Sequence, residues 1–280
     1  LIQAILQRSL PLAATLVVAA WLWIAPPGLL GKLDAIGYAV CHRIPERSFH
    51  LDDRPLPLCA RCSGTFSAAA ITLLVLAIIA PRRSGMPAPK FYPLFGVLFL
   101  AFAIDGGNSY LYLIKQVSGA FLNVPNLYLP NNALRLLTGT GMGMIMALML
   151  WPAFHATIWQ HPDPAPTLER WRDFLGLYGL LLGVDLLVLS EHPFVLYPLA
   201  LFGPLGVLAL LTMIFTVLWQ IVMRQENTLI HVRQIGWPLL AGFTLALLMI
   251  LTIDLIRLQL TGTWYGLSIG PSSWIAGFSL

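Results

Sequence analysis

Apolar residues in this chain gather into runs of about twenty, the length that crosses a bilayer's hydrocarbon core, and short polar segments separate the runs. Seven runs, at roughly 9–30, 63–80, 91–114, 132–153, 173–190, 204–223 and 236–258, predict seven transmembrane helices. The expected fold is an all-α polytopic bundle, one integral-membrane domain over residues 1–280 with a Cys/His/Arg-rich segment at 31–62 between the first two helices. The first run follows Arg8 as a secretory signal would, but Trp21 to Pro27 offers no small-x-small cleavage site, so it is read as a helix. Gln116 to Pro130 and the tail at 259–280, with Trp264, Tyr265, Gly270, Pro271 and Trp274, read as interfacial or re-entrant segments.

Composition agrees. Charged residues make up 10% of the chain, against roughly 25% in soluble domains, which excludes an ordinary cytosolic enzyme. The net charge of +4 comes from sixteen Lys and Arg scattered through short segments, so it reads as topology and not as a nucleic-acid surface. Lys and Arg tie at eight on each side of the seven-span arrangement; setting aside Arg43, Arg47, Arg54 and Arg61, which lie inside the cysteine segment, leaves eight against four. The positive-inside rule then puts the N-terminus in the cytoplasm and the cysteine segment outside a prokaryotic cytoplasmic membrane.

The densest chemistry lies in Cys41-His42-Arg43-Ile44-Pro45-Glu46-Arg47-Ser48-Phe49-His50 and Pro57-Leu58-Cys59-Ala60-Arg61-Cys62-Ser63-Gly64. Cys59 and Cys62 have the C-x-x-C spacing that grips one tetrahedral ion, and Cys41 with His42 or His50 would complete a zinc-type site. His50 is the less strained fourth ligand, because Cys41 and His42 are adjacent. A c-type haem is disfavoured, since Ser63 follows Cys62. A redox dithiol or disulfide at Cys59 and Cys62 and a set of plain buried thiols are the competing readings. Arg43, Arg47 and Arg61 suit bidentate binding of an anionic small molecule or lipid headgroup, although Glu46, Asp52 and Asp53 lie near enough to pair with them.

The run from Cys41 to Gly64 resembles the signature of an uncharacterised prokaryotic membrane family, domain of unknown function 2085. Asp105-Gly106 and the stretch from Asn132 to Gly139 resemble that family's second block. The resemblance implies a multi-pass membrane protein and carries no established activity.

Ionisable groups inside a membrane are costly and point to function. The third, fifth and seventh runs carry Asp105, Asp185 and Asp254 near the same end, and Gly96 and Gly176 precede the first two by nine residues, a hint of a repeat. Asp105 is expected to pair with Arg135, and Asp254 with Arg257 on one helix face. An outward-facing cavity lined by Asp105, Arg135, Asp185, Glu191 and His192 is expected, with the cysteine segment as lid or floor and Asn132 as a further ligand-binding residue. Gly139, Gly141 and Gly143 read as helix packing, and His155, His161 and His231 lack cysteine partners. Two function classes stay open. In an enzyme, Asp105, Arg135 and Asp185 would act on an anionic or lipid-linked substrate. In a non-catalytic complex subunit or ion-coupled transporter, the metal would be structural or the thiols a redox pair.

Overall fold

The computed structural model describes residues 2–265. Among these residues there are eight α-helices: α1 (Ile2–Ile24), α2 (Leu29–Val40), α3 (Ala60–Ile79), α4 (Tyr92–Ser118), α5 (Asn132–Ile158), α6 (Trp171–Val188), α7 (Pro193–Val222) and α8 (Gly236–Thr261). Four short strands sit in the connections: β1 (His50–Leu51) pairs antiparallel with β2 (Arg54–Pro55), and β3 (Arg83–Gly85) pairs parallel with β4 (Asp163–Pro166).

Five helices among the described residues are long and apolar enough to cross a membrane, those of α3, α4, α5, α7 and α8; a sixth span results if α1 and α2, bent by 105°, count as one. The expectation of seven is therefore approximate. The difference lies in α6, whose 18 residues include Arg172, Asp173 and Asp185. The bend after α1 follows from Pro26 and Pro27, which lack the N–H a continuing helix needs. Lys32 reaches back from α2 to donate to the Leu22 and Ala25 carbonyls, two acceptors left bare at the end of α1.

The helices alternate between two ends. At one, Trp151 Nε1 of α5 donates to the Ala80 carbonyl just past α3, at 3.0 Å, and Phe91, Trp171 and Phe174 bring the starts of α4 and α6 together. A cleft lined by Arg8, Gln220, Trp237 and Pro238 marks the meeting of α1, α7 and α8 at this same end. At the other end Phe49, Leu51 and Leu56 of the cysteine segment pack with Val188 of α6 and Leu196 and Leu199 of α7. So α6 runs beside the spans although its charges set it apart.

Glycine brings α3 and α5 into contact, as read from the sequence. A Cβ at Gly139 would lie 2.2 Å from the Arg61 carbonyl oxygen, and one at Gly143 would lie 1.9 Å from that of Thr65. Two backbones this close leave no room for a side chain, the packing mode of membrane bundles. The Gly96 and Gly176 positions both face open space, so no shared packing role ties the two Gly–Asp pairs. Of the tail, α8 runs on to Thr261 and Trp264 packs against Tyr38, while Gly270, Pro271 and Trp274 lie outside the described residues.

Candidate metal centre and anion pocket

Three chain segments converge on the cysteines. Cys41 ends α2, Cys59 immediately precedes α3, and Cys62 sits in the first turn of α3. Gly37 lets α2 lie against the incoming chain, since a Cβ there would come within 2.0 Å of the Pro57 carbonyl oxygen. Between them, the β1–β2 hairpin and buried Phe49, Leu56 and Leu58 fold the intervening segment into a packed cap. The three Sγ atoms all lie within 4.8 Å of one another, and all three thiols are free. Sulfurs bound to one zinc at about 2.3 Å in tetrahedral geometry stand about 3.8 Å apart, a spacing this trio reaches with small rotations.

The surroundings favour a thiolate at Cys59 and a protonated thiol at Cys41. Backbone N–H groups of Arg43 and Cys59 donate to Cys41 Sγ at 3.4 and 3.3 Å, outer-shell bonds of the kind that orient metal ligands. The thiols of Cys41 and then Cys62 donate to Cys59 and hold it well below the ordinary thiol value, while the same contact with Cys59 pushes Cys41 up to about 12. Arg257 of α8 donates to the Tyr38 and Cys41 carbonyls and lies over the Tyr38 ring, 4.0 Å from its centroid. It therefore braces the end of α2 and forms no ion pair with Asp254, contrary to the expectation from their spacing. Asp254 is fully buried, with neither carboxylate oxygen partnered among the described residues.

His42 and His50 are both exposed and stand outside the cysteine group. The structure brings together three of the five expected ligands. Arg43 turns inward: it is buried, pairs with Asp34 at 2.8 Å and donates to the Trp264 carbonyl at 3.0 Å. Asp34 also accepts from Arg54, so this arginine pair is already neutralised in part.

Asp105 is 1% exposed. Its partner is Arg61, one residue before Cys62, and the expected Asp105–Arg135 pair does not form. Arg61 arrives first because Gly139 admits its backbone against α5 and its guanidinium rests over Phe102 of α4. Tyr128 Oη donates to Asp105 at 2.8 Å and Thr138 Oγ1 at 3.4 Å, which completes the carboxylate. Burial, then the bond to Asp105, raise the Tyr128 phenol to about 12, so it remains a donor.

Arg135 instead gives Nη1 to Asn132 Oδ1 at 2.8 Å, and Asn132 in turn donates to the Ser48 carbonyl at 3.4 Å. Asn131 begins α5 by accepting the Leu134 N–H. Arg47 donates through Nη2 to the Ser109 carbonyl at 3.2 Å, and Arg61 to the Ser109 hydroxyl at the same distance. Arg47, Arg135, Glu46, Tyr112, Gln116 and Pro130 line a pocket of about 290 Å³. Three guanidiniums thus lie in one neighbourhood, and of these Arg61 alone contacts Asp105. Burial and the neighbouring Arg61 charge pull Arg47 below its ordinary value. Among the described residues, neither Arg47 nor Arg135 has an ion-pair partner.

The expected single cavity is divided. Asp185 accepts from Thr140 at 2.8 Å and faces a separate void of about 10 Å³ with Ser63, Gly64 and Leu136, space for no more than a water. Glu191 is exposed in a left-handed turn, and exposed His192 accepts the Phe194 N–H at the start of α7. Neither lines the arginine pocket. Sequence reasoning missed Tyr128, Ser109, Tyr112 and Gln116. The one available signal was polar residues recurring in the last three turns of α4 and in the segment after it.

No solved structure matches this chain. Over 128 residues it is 23% identical to an uncharacterized protein of Methanocaldococcus jannaschii, a similarity that covers 46% of this chain and 72% of that one. Residues 41–149, which hold the three cysteines and every residue lining the arginine pocket, match the family of predicted membrane proteins called domain of unknown function 2085.

Proposed function

We propose that this is a protein of the prokaryotic cytoplasmic membrane that binds an anionic ligand beside a structural thiolate centre for a zinc-type metal. The observation that carries the reading is the imbalance at the arginine pocket: Arg47 and Arg135 face a space of about 290 Å³ whose one lining carboxylate, Glu46, forms an ion pair with neither among the described residues. Guanidinium forks match carboxylate and phosphate oxygens, and an anion would relieve the mutual repulsion of the three arginines. Asp105 is a positioning residue in this reading, because its oxygens are taken by Arg61, Tyr128 and Thr138.

Cys41, Cys59 and Cys62 supply three sulfurs from both ends of the cap, which suits a staple that fixes Arg47 and Arg61 between them in sequence. The count of eight basic residues against four supports an exterior location for this end. Thermal unfolding of the detergent-purified protein against inorganic phosphate tests the anion site. A rise in Tm that saturates and disappears in Arg47→Gln is expected; no rise in wild type with any oxyanion would overturn the reading.

A further inference from the structure

Just past the pocket, the chain folds back on α4. Gly119 ends the helix in the left-handed conformation, Lys115 Nζ donates to the Val124 carbonyl and to Asn126 Oδ1, and Asn108 exchanges hydrogen bonds with Asn126, Leu127 and Tyr128. Asn126 and the Val124, Leu127 and Tyr128 backbone groups are thus turned toward α4. The apolar side chains of residues 119–130 point the other way: Leu122, Leu127 and Leu129 are 70, 75 and 76% exposed, and Phe121 and Val124 are exposed with them. Exposed apolar side chains on a membrane bundle face lipid, and these five give the 119–130 loop a lipid-facing surface. The adjoining face of α4 continues it through Leu100, Ile104 and Tyr110, all exposed.

Pro130, the residue after Leu129, is a wall of the arginine pocket, as are Tyr112 and Gln116 in the last two turns of α4 and Arg135 in the first turn of α5. The pocket therefore opens where two apolar spans end, walled by Arg47, Arg135 and the carboxylate of Glu46, and the 119–130 loop adjoins it at Pro130. At about 290 Å³ it lies at the lower edge of ligand pockets, roughly 300–1,000 Å³. It admits a headgroup and leaves acyl chains outside. Arg135 keeps Nη2 unpartnered, and Arg47 keeps Nε and Nη1, among the described residues. A phosphodiester offers one negative charge and two free oxygens, which two guanidiniums can share.

From this juxtaposition we infer that the anion held by Arg47 and Arg135 is the phosphodiester of a membrane lipid, whose acyl chains lie along α4 and the 119–130 loop. The inference rests on the anion-pocket reading above and narrows it to an amphipathic ligand.

The test uses native mass spectrometry of the full chain with phosphatidylglycerol, in competition with glycerol 1-phosphate and inorganic phosphate. Arg47→Gln removes the headgroup contact; the double variant Leu127→Ser/Leu129→Ser removes the chain contact at two exposed positions, with the melting temperature of each variant as the folding control. Loss of one charge-assisted contact should weaken lipid binding about tenfold. Loss of two leucines should weaken it about threefold or more, and millimolar water-soluble phosphates should not displace the lipid. Displacement by glycerol 1-phosphate or inorganic phosphate, with the leucine variant binding as wild type, would overturn the lipid assignment and leave the anion pocket standing. Equal binding of every phosphate probe by wild type and Arg47→Gln would overturn both.

Discussion

Asp105→Asn removes a charge while keeping the shape of the side chain, and the structure specifies which partner should feel the loss. The Asp105 side chain is 2% exposed and that of Arg61 21%. Breaking one side of a buried pair costs about 3–5 kcal/mol, and the lower end applies because Arg61 can turn partly to water. At about 2–4 °C per kcal/mol for a chain of this size, Asp105→Asn should lower Tm by about 6 °C or more, followed by tryptophan fluorescence in detergent. A double-mutant cycle identifies the partner. Arg61→Gln with Asp105→Asn should show a coupling of about 2 kcal/mol, whereas Arg135→Gln with Asp105→Asn should couple by less than about 0.5 kcal/mol. The reverse pattern, with Arg135 as the coupled residue, would refute the placement of Arg61 beside Asp105.

Gly139→Ala should destabilise by about 1–3 kcal/mol, because its methyl meets the Arg61 carbonyl; Gly96→Ala, facing open space, should be neutral or stabilise by up to about 1 kcal/mol in the same melt. His42→Ala and His50→Ala should leave the metal content of the purified protein unchanged, since both histidines are exposed and apart from the thiols; metal loss in either would restore the five-ligand expectation. Asp254→Asn should keep or raise Tm, because a buried carboxylate with no hydrogen bond is a cost to the fold; a fall of several degrees would reveal a partner it serves.

The apolar runs made most spans legible, because hydrocarbon thickness imposes a length that composition cannot hide, but α7 begins at Pro193, well before the expected 204, and the first run crosses the break between α1 and α2. They could not show that Pro26 and Pro27 bend the chain by 105° or that three charges set α6 apart from the other helices. The meeting of Cys41 with Cys59 and Cys62 was legible as a spacing. The exclusion of His42 and His50 was not, since it depends on which way the cap between the cysteines packs. Asp105 was recognisable as a buried charge needing a cation, yet its partner was misassigned. Arg135 is nearer in sequence, and only the glycine contact between α3 and α5 brings Arg61 closer in space. The pocket's remaining walls come from Tyr112, Gln116 and Pro130, residues whose types carry no signal until α4 and the following loop are placed.

Elemental analysis of the detergent-purified protein, with a count of free thiols, tests the thiolate centre most directly. Near one zinc per chain in wild type, lost in Cys59→Ser while His50→Ala retains it, is the predicted result. No metal in wild type, with Cys59 and Cys62 joined in a disulfide or all three thiols freely titrating, would contradict it.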